Sequence, residues 1–395
     1  MSLHHNPRIV TDGLVFAYDM DNAAKSFKGK PTTNLITSTI DNWSGSSLRN
    51  ATLLNETYKR SAVYRLEVAA GADPATTVDA YYMYNVPNLS EGDVFTFSAD
   101  VRVIQKSTAT SQTSAADNGF WIWYAGSSEH VNFKDLELGK WTNIQVTATV
   151  GSTYDYIWAR IDHDNSIIDI ANIQLEQQPF ATPFVNGTRS NTQALLDMSK
   201  SKNTVTATSL TYNSDGTFQF NNNNYLSLNT GITGSNFTVL MWHYNGASSF
   251  ATAGHRTFLS TNNLRVQWDD TPDRGPFVDF NSGSGGGQAN FGSSLTPANF
   301  LQKYTMVGLV GGSTVKTSFN DVTSGQSSTI SGTRNFSSNG NVSIGINNLS
   351  GIGGSDHINR EGSVVKMPLI QIYDRALTAA EIKQNFNATR GRFGI

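Results

Sequence analysis

Cysteine is absent from the 395 residues. No disulfide can brace this chain, so durability must come from packing or association. Charge is also scarce: Asp, Glu, Lys and Arg make up 15% and the formal net charge is −3. Such a balance gives no electrostatic pull toward nucleic acid or an anionic membrane, and neither is expected as a partner. Long apolar runs are missing, and no stretch approaches the roughly 20 residues of a spanning helix. The start, MSLHHNPRIV, lacks the charged segment and apolar run of a signal peptide, so synthesis in the cytosol is the expectation. What the chain has instead is Gly, Ser, Thr and Asn in abundance, with 11% aromatics. That mixture suits short strands joined by many turns, and the length suits about two domains.

Alternating or β-branched and aromatic segments run from Asn34 to about Phe184: AVYRLEV, DVFTFSADVRV, GFWIWYAG, KWTNIQVTATV, YDYIWARID and IIDIANIQLE. Turn clusters separate them and no helical stretch intervenes, which argues for an antiparallel sandwich. QPFATPFVNGTRSN then reads as a linker. A second set of strands follows from Asn191, including NYLSLN, NFTVLMWHYN, NLRVQWDD, KYTMVGLVGG and MPLIQIYDRAL. Glycine- and serine-rich patches at 282–287 and 350–355 are candidate mobile loops. One helix is convincing: TAAEIKQNF opens on Thr378 with Glu381 three residues on, a capping box, and carries Ile382 and Phe386 on one face. It should cap an open end or edge of its sandwich, with the tail RGRFGI docking through Phe393 and Ile395. The fold class expected is all-β, two antiparallel sandwiches of jelly-roll type with one short C-terminal helix. One strand, Leu14 to Tyr18, has no nearby partner, and an exposed apolar edge invites aggregation.

The stretch MPLIQIYDRALTAAEIKQNFNATRGRFGI resembles the C-terminal end of concanavalin A-like, laminin-G-like sandwich domains, in a version similar to those of tailed-bacteriophage structural proteins. LLDMSKSKN and GTFQFNNNNYLSLN match further elements of that pattern in order. The resemblance implies that the last strand pairs with the first, GLVFAYDMDN. It divides the chain into 1–30 (first strand of the C-terminal sandwich plus linker), an inserted sandwich at 31–188, and 189–395. The insert, closing on IDIANIQLEQQPFATPFVNGTRS, is similar to galactose-binding-like, carbohydrate-binding modules of tail-fibre and virion proteins. Together these resemblances imply a non-enzymatic surface appendage of a virion (a fibre, collar or head fibre) adhering to host glycans. Its partners would be other virion proteins and copies of itself, a trimer being usual for fibres. Rival readings are purely architectural decoration and an ancillary part of a glycan-degrading enzyme.

Candidate chemistry is thin. Glycosidases need two carboxylates about 5 to 10 Å apart, and the E-x-D-x-x-E strand of concanavalin A-like glucanases is missing. QWDDTPD has acidity without alternation and reads as a solvated turn. Asp162, His163 and Asp164 are consecutive, so a regular strand would point them to opposite faces and not at one metal. Both resembled families often carry a structural calcium, for which Asp19, Asp41 and Asp169 are candidate ligands. Aromatics give the best signal. Trp121 and Trp123 share one face of their strand, and Tyr156, Trp158 and Arg160 share one face of theirs. Rings beside charged groups are what a sugar needs, the rings for C–H patches and the charges for hydroxyls. The same rings could fill a sandwich interior, and alternation within one strand does not decide between the two.

Overall fold

The computed structural model describes residues 8–20, 22, 25–36, 48–49, 51–59, 61–68, 80–85, 90–106, 118–124, 127–132, 135–150, 156–161, 165–212, 218–219, 224–246, 255–269, 275–280, 287–290, 302–320, 330–331, 334–345 and 365–395. Its strands form antiparallel sheets, with one α-helix near the C-terminus. The glycine- and serine-rich stretches 282–286 and 350–355 lie outside the described residues. The chain divides into two compact units, one of residues 1–30 with 190–395 and one of residues 31–189.

In the first unit the strand Leu14–Asp19 pairs antiparallel with Val365–Tyr373, in the register Phe16 to Ile372 and Tyr18 to Ile370. Phe16, Ala17 and Tyr18 are fully buried. Asp197, in the LLDMSKSKN segment, ties this strand down from the side. One carboxylate oxygen accepts from Ala17 N at 3.0 Å and Ser199 N at 2.8 Å, and the other from Ser199 Oγ at 2.7 Å and Asn203 N at 2.9 Å. The six-stranded sheet runs Leu14–Asp19, Val365–Tyr373, Thr238–Asn245, Tyr304–Val310, Thr314–Phe319, Ile330–Ser331. A seven-stranded sheet runs Thr206–Thr208, Tyr225–Asn229, Asn341–Ile344, His255–Ser260, Leu264–Asp269, Gly275–Phe280, Gly287–Asn290. His243 on the first sheet meets Phe258 on the second edge-on at 5.0 Å, so the two sheets face each other there.

Alternate positions Leu240 and Trp242 point away from that interface and are buried all the same, because the helix Ala379–Thr389 covers them. Thr378 and Glu381 form the capping box. Phe386 stacks on Trp242 at 5.6 Å, Phe393 does so at 4.4 Å, and Trp242 Nε1 donates to Thr389 Oγ1 at 2.9 Å. The helix therefore roofs the outer face of the six-stranded sheet, and does not cap an open end or edge. Trp242 supplies the reason: an outward indole on a central strand needs an apolar cover. Phe393 docks on its own sandwich, whereas Ile395 is exposed.

The second unit contains two five-stranded sheets. One runs Trp141–Thr149, Val94–Gln105, Ser166–Glu176, Ser61–Val68, Ala51–Tyr58; the other runs Leu48–Arg49, Ala80–Asn85, Tyr156–Ile161, Asn118–Tyr124, Ser127–Asn132. The inner positions of the first sheet, among them Leu66, Phe95, Phe97, Val101, Val103, Ile168 and Ile170, form the core. Entry and exit of the unit are paired, Thr33 with Thr188 and Thr32 with Arg189. The exit segment, expected as a linker, is instead built into the fold. Buried Glu176 accepts from Thr182 N at 2.9 Å and Thr182 Oγ1 at 2.6 Å, and buried Arg189 donates to Thr182 Oγ1 at 3.1 Å. Burial of a carboxylate and a guanidinium demands such partners.

Candidate functional site

The five residues expected to bind sugar lie on neighbouring strands of one sheet. The strand Tyr156–Ile161 runs antiparallel to Asn118–Tyr124, with Trp158 opposite Trp121 and Tyr156 opposite Trp123, while Arg160 is opposite Gly119. On its other side Trp158 is opposite Met83, Tyr156 opposite Asn85 and Arg160 opposite Tyr81. Directly opposed residues of an antiparallel pair share a face, so positions 121, 123, 156, 158 and 160 all fall on one face of this sheet. Their side chains lie outside the described residues. Strand Ser127–Asn132 extends the same face with His130 opposite Trp121 and Ser128 opposite Trp123.

Composition separates the two faces. The face with the tryptophans also carries Tyr81, Met83, Asn85, Ser128, His130 and Asn132. The other carries Tyr82, Tyr84, Phe120, Ile122, Val131, Ile157 and Ala159, together with Asn118 and, on the edge strand, Ser127 and Glu129. A sandwich sheet buries one face against its partner. By composition the more apolar set suits such an interior, and the side chains of both sets lie outside the described residues.

The first sheet of this unit carries a polar cluster that alternation in single strands does not disclose. Across its five strands the register aligns Thr52, Arg65, Asp169, Arg102 and Trp141 in one row. Asp169 is fully buried, with Arg65 donating to it at 2.7 and 3.0 Å and Arg102 at 2.6 and 3.1 Å. Arg102 also reaches Glu56 at 2.9 Å, and its guanidinium lies 4.7 Å from the Trp141 ring centre. Tyr58 stacks on Trp141 at 4.1 Å. Next to this row, buried Asp100 accepts from Asn172 at 2.6 Å, Asn143 at 3.0 Å and Lys59 at 3.1 Å. Alternation marks a polar face on strands such as Val94–Gln105, with Thr96, Ser98, Asp100 and Arg102, but not which residues of other strands they meet. The pairing is non-local, so no local signal exposes it.

This arrangement corrects the calcium reading. Asp169 is already neutralised by two guanidiniums, and Asp19 is held by Arg392 at 2.5 and 2.7 Å. Neither fits a calcium site, because a dication would have to displace a paired arginine. Asp41 lies outside the described residues, as do Asp162, His163 and Asp164. Among the described residues no group of three His, Asp or Glu could hold a metal. The buried carboxylates there, Asp100, Asp169, Glu176, Asp197 and Asp279, are each held by amide, hydroxyl or cationic donors.

No family model matches the chain, and no curated protein matches it. Among solved structures, the receptor-binding domain of botulinum neurotoxin C/D mosaic serotype is similar at 12% identity and a TM-score of 0.39, over 51% of this chain and 50% of that one. The botulinum neurotoxin serotype G binding domain is similar at 15% identity and a TM-score of 0.39, over 49% and 48%. The serotype D ligand binding domain in complex with N-acetylneuraminic acid is similar at 12% identity and a TM-score of 0.39, over 51% and 50%. The matched region thus spans about half the length of each of these domains.

Proposed function

We propose that this protein is a non-enzymatic adhesin that binds glycans on an aromatic platform in the unit of residues 31–189. The observation that carries the reading is the register that brings Trp121, Trp123, Tyr156, Trp158 and Arg160 to one face of one sheet. Rings cover the apolar faces of a sugar, and the guanidinium of Arg160 donates to its hydroxyls. An open sheet face holds water and orders few donors, so a single site binds weakly and useful adhesion comes from many copies. The described buried carboxylates serve as anchors for arginine, amide and hydroxyl groups, a structural use that supports a binding role over hydrolysis. The test is a glycan array probed with the whole chain displayed multivalently, alongside an assay for reducing ends released from the bound glycans. Binding without release is expected. Release abolished by one Asp or Glu substitution would overturn the non-enzymatic reading.

We extend this reading to a surface appendage of a phage virion, associated as a homotrimer, on the strength of the C-terminal sequence resemblance. Copy number on a particle supplies the avidity that a weak platform needs. Electron microscopy of particles labelled with an antibody against the chain, with sedimentation for the oligomer, tests it. Labelled particles together with a silent glycan array would leave an architectural role in place of adhesion.

A further inference from the structure

The unit of residues 1–30 and 190–395 has a groove of about 570 Å³ on its seven-stranded sheet. That volume lies within the roughly 300 to 1,000 Å³ of small-molecule sites. Its floor follows from the register. Thr206 is opposite Ser227, Ser227 opposite Ser343, and Ser343 opposite Ser260, so four short hydroxyl residues form one row across four strands, Thr206 and Ser227 half-buried and Ser343 and Ser260 buried beneath the floor. Positions two residues along the same strand share that face. Tyr225 therefore stands on one side of the floor and Asn229 on the other, about 13 Å apart at the usual strand rise. Alternate burial agrees: Leu226 and Leu228 are buried, Tyr225 and Ser227 half-buried, and Asn229 exposed.

The asparagine wall is cross-braced. Asn229 Nδ2 donates to Asn341 Oδ1 at 2.7 Å and to Asn339 O at 3.0 Å. Asn262 Oδ1 accepts from Ser338 N and Ser337 Oγ, both at 2.9 Å, and Thr261 Oγ1 accepts from Asn263 N and Leu264 N at 3.1 Å. Gly340 sits at φ +78°, where a Cβ would meet Gly231 N and Asn229 Oδ1 at 2.8 Å, so the wall admits no side chain there. A wall fixed before the ligand arrives spares it the cost of ordering loops. Among the described residues no Asp, Glu, Lys, Arg or His lines the groove. An anion or cation would have to leave its water shell with no opposite charge among these residues to meet it, and Leu228 and Val342, paired on the buried face of the sheet, offer little aliphatic surface to an apolar guest. Hydroxyls, amides and one tyrosine ring match a ligand that is itself neutral and hydroxyl-rich. We propose that this groove is a second carbohydrate site, binding a neutral mono- or disaccharide with its hydroxyls on the Ser/Thr floor and Asn wall and its C–H face against Tyr225.

The test uses the full chain and four probes, lactose, maltose, cellobiose and N,N′-diacetylchitobiose, at millimolar concentration with saturation-transfer NMR. Transfer to at least one disaccharide is expected in the wild type. Ser227→Trp, which fills the floor, should abolish it for that sugar, and Ser227→Ala should weaken its affinity several-fold. Transfer to none of the four, or transfer unchanged in a Ser227→Trp protein that melts like the wild type, overturns the proposal. If Ser227→Trp melts lower, Ser227→Ala decides, and an unchanged affinity counts against the site. Trp158→Ala reports on the aromatic platform alone, so either site can fail while the other stands.

Discussion

His243 shows how one residue sets a condition on the whole first unit. It is fully buried on a central strand, with Nδ1 3.0 Å from Thr305 O, and burial lowers its pKa from 6.5 to about 4. The folded protein keeps this imidazole neutral, while the unfolded chain takes up a proton below about pH 6.5. Between about pH 6.5 and 4 the unfolded state thus binds more protons, so stability falls as pH falls through that window. The loss reaches on the order of 3 kcal/mol by the lower end. Melting curves at pH 7 and pH 4.5 should show the drop, and His243→Gln should flatten it; equal pH slopes in the two proteins would contradict the account. Glu381 acts lower on the scale. Arg375 at 2.6 Å, helped by the Thr378 amide, holds it at about 2. Its contribution is complete above about pH 4.5 and declines as pH falls toward 2, and solvent exposure keeps it small.

Among the elements, the helix and the first strand were readable and the sites only half so. Thr378, Glu381, Ile382 and Phe386 announce the helix by local spacing, but the face it covers depends on Trp242, more than a hundred residues earlier, and local spacing says nothing of that. Phe386→Ala should lower stability by about 3 to 5 kcal/mol, since the ring is buried and stacked. Denaturant titration checks this, and an unchanged midpoint would mean the helix does not roof the sheet. The aromatic residues of the proposed platform are legible strand by strand, as Trp121 with Trp123 and Tyr156 with Trp158, but the register that brings them to one face is non-local. The serine groove left no trace at all. Ser227, Ser343 and Ser260 are ordinary residues in a chain rich in serine, and only strand pairing lines them up. Asp169 was misread for the same reason, because its arginines lie 104 and 67 residues away.

At the scale of the whole molecule, the chain reads as one sandwich interrupted by another. Lys28 N donates to Ala194 O at 2.8 Å and Phe27 bridges Leu195, so the two ends of the first unit already meet where the second leaves it. Replacing residues 31–189 with a short glycine linker should therefore leave a protein that unfolds cooperatively and keeps the His243 pH dependence. An aggregated or unfolded product would contradict this division. On the proposed reading function is distributed by unit, with the platform in the insert and the groove in its host. In the proposed function the mixed face around Trp158 is a binding surface and not part of the core. The most direct test is glycan-array binding by the whole chain and by Trp158→Ala, with melting temperatures recorded on the same preparations. The account predicts that the wild type binds and that the variant loses binding while melting as the wild type does. A variant that melts far lower, or a wild type that binds no glycan, would contradict it.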